Sequence, residues 1–209
     1  MERCFFQLAK PYDYGVKSAQ FFYERLRFQM KVLLYLHGTI IMHKSGGDKT
    51  PIERGNQVLD PSDQTIFDFE NYIPIGKANE ILSNWSKNKN EVIYMSSHRN
   101  KKDMEKDIAV LKKYNFPLGK VLHREKFSGY KKLVKQEAPD VIIEDDCKCI
   151  GQWIKNKYPY LPMPMVNWLK TREMVYPHLP NRLKKKIQSI VLEEFIGIDN
   201  IQNIYHNWE

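Results

Sequence analysis

Four short polar clusters in this chain carry residue types that handle phosphate and metal, and each follows an apolar run. Glu144-Asp145-Asp146 closes the run Val141-Ile142-Ile143. Three successive carboxylates repel one another unless a cation or an arginine offsets them. A hard cation such as Mg2+ needs only one or two such oxygens and keeps several waters. Residues 31–36 (KVLLYL) lead into His37-Gly38-Thr39, and 91–96 (EVIYMS) lead into Ser97-His98-Arg99. Near the end of 119–123 lie His123, Arg124 and Lys126, with Lys131 and Lys132 just beyond. Hydroxyls and backbone N–H groups beside a lysine or arginine hold phosphate oxygens. Phosphate and Mg2+ held together are what phosphoryl transfer requires. His37 adds a group that titrates near neutrality and can serve as a general acid.

The elements that would position these clusters follow from periodicity. The runs 31–36, 91–96, 119–123 and 140–144 are strand-length and apolar, as strands buried on both faces are. Helices are predicted over 76–87, with Ala78, Ile81, Leu82 and Trp85 on one face, over 101–114, with Met104, Ile108 and Leu111 inward, and over 129–137, with Tyr130, Leu133 and Val134 inward. Strands and helices alternating at these lengths imply a parallel α/β sheet with helices on both faces. Ligands then bind at the carboxyl ends of the strands, where all four polar clusters fall. The stretch from Gly38 to about Asp68 reads as polar and turn-rich, and 158–164 (YPYLPMP) as a break that excludes regular helix. A last helix is predicted over 181–195, with Leu183, Ile187, Ile190, Val191 and Phe195 at helical spacing.

In their order these segments resemble the haloacid dehalogenase-like superfamily of phosphatases and phosphotransferases. Its first motif is an apolar strand ending in Asp-x-Asp-Gly-Thr; residues 32–39 (VLLYLHGT) match the strand, the glycine and the threonine. Ser97 matches the second motif, with Arg99 two residues on. The third is a lysine ahead of the fourth strand, for which Lys131 fits, with Lys126 and Lys132 as alternatives. VIIEDD matches the acidic fourth motif. The similarity covers about residues 31–151 and implies a three-layer, doubly wound Rossmannoid sheet. It also implies a phosphorylated small-molecule ligand, bound through Gly38, Thr39, Ser97, Arg99 and Lys131, and Mg2+ on Glu144, Asp145 and Asp146, with His37 and Asp145 as the catalytic candidates. The departure lies in the first motif: Tyr35 stands at the family's nucleophilic aspartate and His37 at its general acid. A phenol with a pKa of about 10 neither attacks phosphorus nor ligates Mg2+ readily at neutral pH.

The expected function is therefore binding of a phosphorylated or anionic ligand in the strand-end crevice, with weakened Mg2+ affinity and without aspartyl-phosphate chemistry. One alternative is a metal-dependent phosphohydrolase or phosphotransferase using His37. Another rests on charge: the chain has 33 basic and 25 acidic residues, net +8, and Arg182, Lys184, Lys185 and Lys186 on the predicted last helix would contact nucleic acid. The 209 residues suit one domain, 30–209, with a proline-rich insertion near 152–175. Residues 1–29, rich in aromatics, read as an extension loosely attached ahead of Met30. No apolar run reaches the roughly 18 residues of a membrane span, and no leader with a cleavage site is evident. The three cysteines make no disulfide framework, and Cys147 and Cys149 have no second pair to complete a zinc site. A cytoplasmic protein is the expectation.

Overall fold

A computed structural model of the chain describes residues 30–124, 130–171, 173–174 and 176–201; the extension 1–29 lies outside them. In chain order the elements are β1 (Lys31–Tyr35), β2 (Ile41–Met42), α1 (Pro51–Leu59), β3 (Ile73–Pro74), α2 (Ala78–Lys87), β4 (Glu91–Ser96) and α3 (Lys101–Lys113). There follow β5 (Lys120–His123), α4 (Tyr130–Glu137), β6 (Val141–Asp145), α5 (Lys148–Lys157), α6 (Met163–Thr171), α7 (Asn181–Lys184) and β7 (Gln188–Leu192). Five strands form one parallel sheet in the order β5-β4-β1-β6-β7, flanked by helices. β2 and β3 pair separately and antiparallel.

The central place of β1 follows from its sequence, since Val32 through Tyr35 are all apolar and all buried. Alternation sends Val32 and Leu34 into a cluster with Leu82 and Trp85 of α2 and Val110 and Leu111 of α3. Leu33 and Tyr35 join Tyr130 and Val134 of α4, Leu179 and Ile187 in a second cluster. The predicted strands 31–36, 91–96, 119–123 and 140–144 lie within a residue of the observed ones at each end. On α3 the inward face differs from the prediction: Asp107, Val110 and Leu111 are buried, while Met104 and Ile108 are only half-buried.

The predicted helix 181–195 is corrected. It stops at Lys184, and Gln188–Leu192 form β7, in register with Val141–Asp145 of β6. Ile187, Ile190 and Val191 sit at helical spacing, yet their β-branched side chains suit the edge of a sheet. The basic residues offered to nucleic acid therefore share no extended helix: Arg182 and Lys184 occupy one turn, and Lys185 and Lys186 follow it. The polar stretch 38–68 holds α1, which a capping box starts. Thr50 Oγ1 accepts from Glu53 N–H at 3.3 Å, and Glu53 Oε2 accepts from Thr50 N–H at 2.8 Å. The proline-rich stretch is a true break only over 158–162, because Pro164 lies in the first turn of α6, where its missing N–H costs nothing. The region 152–175 is thus largely helical, part of the connection from β6 to β7. Among the described residues no helix is long and apolar enough to cross a membrane.

Leu33 is fully buried in the middle of the central strand. Leu33→Ala should lower the unfolding free energy by about 2–5 kcal/mol through lost burial and a residual cavity. Urea titration would read this as an earlier midpoint at unchanged slope; a change under about 0.5 kcal/mol would contradict this picture of the core.

Candidate functional site

β1 delivers the chain to a tight turn at the rim of the sheet. Gly38 adopts φ 77°, and a Cβ there would lie 3.2 Å from both Asp145 Oδ2 and Glu194 Cγ. Glycine takes this conformation without strain and leaves the two carboxylates room to close on the turn. Thr39, fully buried, donates from Oγ1 to Asp145 Oδ2 at 3.0 Å. Gly38 O accepts from Phe195 N–H at 2.8 Å, which fastens the segment after β7 to the same turn. Thr39 and Asp145 are 106 residues apart and meet because β1 and β6 are parallel neighbours.

The acidic residues separate by strand alternation. Asp145 Oδ1 accepts from Cys147 N–H at 2.8 Å. Asp146 Oδ1 accepts from the N–H groups of Lys148, at 3.2 Å, and Glu194, at 3.3 Å. Glu194 Oε2 accepts from Cys149 N–H at 2.7 Å. Carboxylate oxygens of Asp145, Asp146 and Glu194 all lie within 4.8 Å of one another, near enough to share a cation. Glu144 is not among them. It is buried on the other side of β6, where it accepts from Tyr176 N–H at 3.2 Å and raises the pKa of Tyr35. The expected metal set Glu144, Asp145, Asp146 is corrected accordingly, with Glu194 in place of Glu144. The predicted helix had hidden Glu194, although 188–194 (QSIVLEE) repeats the pattern of an apolar run closed by two acids.

A cavity of about 220 Å³ opens at this rim, lined among others by Tyr35, His37, Ser97, Tyr130, Asp145 and Glu194. The Tyr35 hydroxyl is buried without a hydrogen-bond partner, and its ring meets Tyr130 edge-on at 5.3 Å. Burial, then Tyr130 and the charge of Glu144, push this phenol well above its usual range, so no phenolate is on offer. Glu173 also lines the cavity, and two arginines pair with it. Arg124 pairs with Glu173 and lies 4.6 Å over the Tyr130 ring, with its Nε buried and unpartnered. The exposed Arg99 reaches the same carboxylate at 3.8 Å. Two guanidinium groups thus share one carboxylate. Lys131 and Lys132 point to solvent on α4, so neither is the expected crevice lysine; Lys126 lies outside the described residues.

His37 and Ser97 do meet. The His37 ring lies 2.6 Å from Ser97 Oγ through Nδ1 and 2.8 Å from Asp107 Oδ1 through Nε2, so neither nitrogen is free to attack a substrate. Asp107 has no counterpart in the expected site, since an aspartate on a helix ordinarily reads as solvated surface. Cys147 and Cys149 are free and buried, and burial above all pushes both thiols up, which keeps them protonated.

Burial pushes both Asp145 and Glu194 up, their charges oppose each other, and Glu194 reaches about 7. Three carboxylates are gathered here, and Lys148, at the start of α5 beside them, pairs with Glu193 at 3.0 Å.

No protein-family model matches the chain, and no curated protein matches it. Among solved structures the chain is similar to a chain of a Pnkp1/Rnl/Hen1 complex, at 11% identity and TM-score 0.44, over 78% of this chain and 46% of that one. The chain therefore spans less than half of that chain's length, and a likeness this distant carries no argument.

The raised pKa of Glu194 sets a pH dependence. The native state holds this proton more tightly than the unfolded chain, so the group removes stability as pH rises from about 4.5 to about 7. Glu194→Gln lacks the penalty, and its urea midpoint should gain on the parent's across that window in metal-free buffer. Midpoints that stay parallel from pH 4.5 to 7 would rule out the shift.

Proposed function

We propose that this chain is a haloacid dehalogenase-like protein, with a three-layer doubly wound sheet, that holds Mg2+ on Asp145, Asp146 and Glu194 and through it a phosphorylated small molecule. The observation that carries the reading is the closure of the His37-Gly38-Thr39 turn on Asp145, fixed by the 3.0 Å bond from Thr39. It joins the first and fourth segments of the motif order at one cavity.

The electrostatics support the same reading. Burial raises the pKa values of Asp145 and Glu194, and oxygen donors grouped in this way suit a hard divalent cation. The metal would neutralise phosphate oxygens facing the carboxylates, and Arg99 and Arg124, paired with Glu173 of the cavity lining, would attract the anion. Ser97, exposed at the cavity rim, is placed to donate a further hydrogen bond. Tyr35 stands where the family carries its attacking carboxylate, and its hydroxyl is buried and protonated. Retention of the ligand, not aspartyl-phosphate turnover, follows from that exchange.

Calorimetry with Mg2+ alone, and then with p-nitrophenyl phosphate, tests this reading. Mg2+ should bind and Asp145→Asn should weaken it by at least about ten-fold; the phosphate monoester should bind only when Mg2+ is present, without release of nitrophenolate. Absence of Mg2+ affinity in both forms would sink the proposal. Turnover abolished by His37→Ala would instead favour a hydrolase in which the Ser97–His37–Asp107 chain carries the proton.

A further inference from the structure

We infer that His37, His98 and Asp107 form a second metal site, for Zn2+ or a similar borderline transition metal, distinct from the carboxylate group. Three elements bring them together. His37 follows β1, His98 follows β4, and Asp107 lies on α3. The Nε2 atoms of both imidazoles face the same oxygen, Asp107 Oδ1, at 2.8 Å for His37 and 3.6 Å for His98. All three donor atoms lie within 4.8 Å of one another.

The hydrogen bonding around the cluster leaves these three atoms to one another. Asp107 Oδ2 accepts from Ser96 Oγ at 2.6 Å, which turns Oδ1 toward the imidazoles. The same Ser96 hydroxyl accepts from His98 N–H at 3.1 Å and so holds the backbone of that histidine. His37 Nδ1 is tied to Ser97 Oγ at 2.6 Å, the kind of outer partner that fixes the ring of a metal-bound histidine. With a metal on Nε2, the ring hydrogen resides on Nδ1 and is donated to Ser97 Oγ. His98 Nε2 is buried and has no hydrogen-bond partner, and its 3.6 Å from Asp107 is too long for one. A cation between the three atoms gives it a partner.

The charge balance points the same way. The Asp107 side chain is fully buried, and a buried carboxylate needs a compensating cation. Lys106 beside it is engaged outward, with Asp103 at 3.5 Å and Glu70 at 3.8 Å. Phe69 packs on both imidazoles, at 4.4 Å from His98 and 6.0 Å from His37, and Tyr72 meets His37 at 5.4 Å. Such an aromatic wall excludes water and strengthens metal–ligand attraction. Two imidazoles and one carboxylate suit Zn2+, which commonly takes three protein ligands and one exchangeable position. They do not suit Mg2+, which prefers oxygen. His37 also lines the cavity, so the fourth position lies near it.

The experiment uses the tag-free full chain, stripped with chelator and then titrated with Zn2+ against a chromophoric competitor and, separately, with Co2+. A single equivalent of Zn2+ should bind, and Co2+ should give the intense visible bands of a four- or five-coordinate ion. His98→Gln, at a nitrogen with no partner to lose, should keep its circular dichroism and weaken Zn2+ by at least about 100-fold. Glu194→Gln should leave Zn2+ binding unchanged. Weak, octahedral Co2+ bands in the parent, or undiminished Zn2+ affinity in folded His98→Gln, would overturn the site. So would loss of Zn2+ in Glu194→Gln, because the ion would then sit on the carboxylates. Magnesium binding by those carboxylates stands or falls separately.

Discussion

The closure of the turn after β1 on the ends of β6 and β7 is the constraint on which the rim of this protein depends. It consists of the bond from Thr39 to Asp145, the bond from Phe195 N–H to Gly38 O, and the left-handed backbone of Gly38. Each of the two bonds is worth about 1 kcal/mol, or somewhat more where the acceptor is charged. Their importance is geometric, since they fix where the carboxylates of two strands stand relative to the first. A side chain at position 38 would meet Asp145 and Glu194 at 3.2 Å and force that closure apart.

Once the closure is made, the electrostatics of the rim follow from it. Asp145, Asp146 and Glu194 are drawn to within 4.8 Å, and the N–H groups of Cys147, Lys148 and Cys149 only partly offset their charges. Protons take up the remainder at low pH, and a cation must do so at high pH. Glu173, on the lining of the same cavity, is shared by Arg99 and Arg124. The cation proposed for the carboxylates would offset their charge. Electrostatics of this kind select the class of ligand more sharply than they add affinity.

Much of this arrangement was legible in the sequence, because apolar runs mark strands and the residues after them mark the rim. Gly38, Ser97 and Asp145 line the cavity for that reason. Other residues were lost to competing physical signals. Adjacent strand residues face opposite ways, so Glu144 and Asp145 could never have shared one ion, and that error was avoidable. Glu194 was hidden because Leu183, Ile187, Ile190 and Val191 fit a helix of period 3.6 as well as they fit a turn followed by a strand. Only pairing with β6 decides between them. Asp107 was not recoverable, as its burial depends on the two imidazoles and Phe69, brought from distant parts of the chain. Lys131 missed the cavity for a similar reason: a helix shows only one face to it, and on α4 Tyr130 occupies that face.

Position 35 is fitted to an aromatic ring, and a carboxylate would not suit its surroundings. Tyr35 packs against Tyr130 and lies near Glu144, with an unpartnered hydroxyl whose burial alone costs about 1–3 kcal/mol. An aspartate there would leave the apolar cluster short of an aromatic ring. It would also put a second buried anion near Glu144, and two such carboxylates seldom ionise together. Such a carboxyl would be held protonated. The surroundings of residue 35 thus suit a phenol, and the charged groups of the rim are the carboxylates that the Gly38 turn gathers.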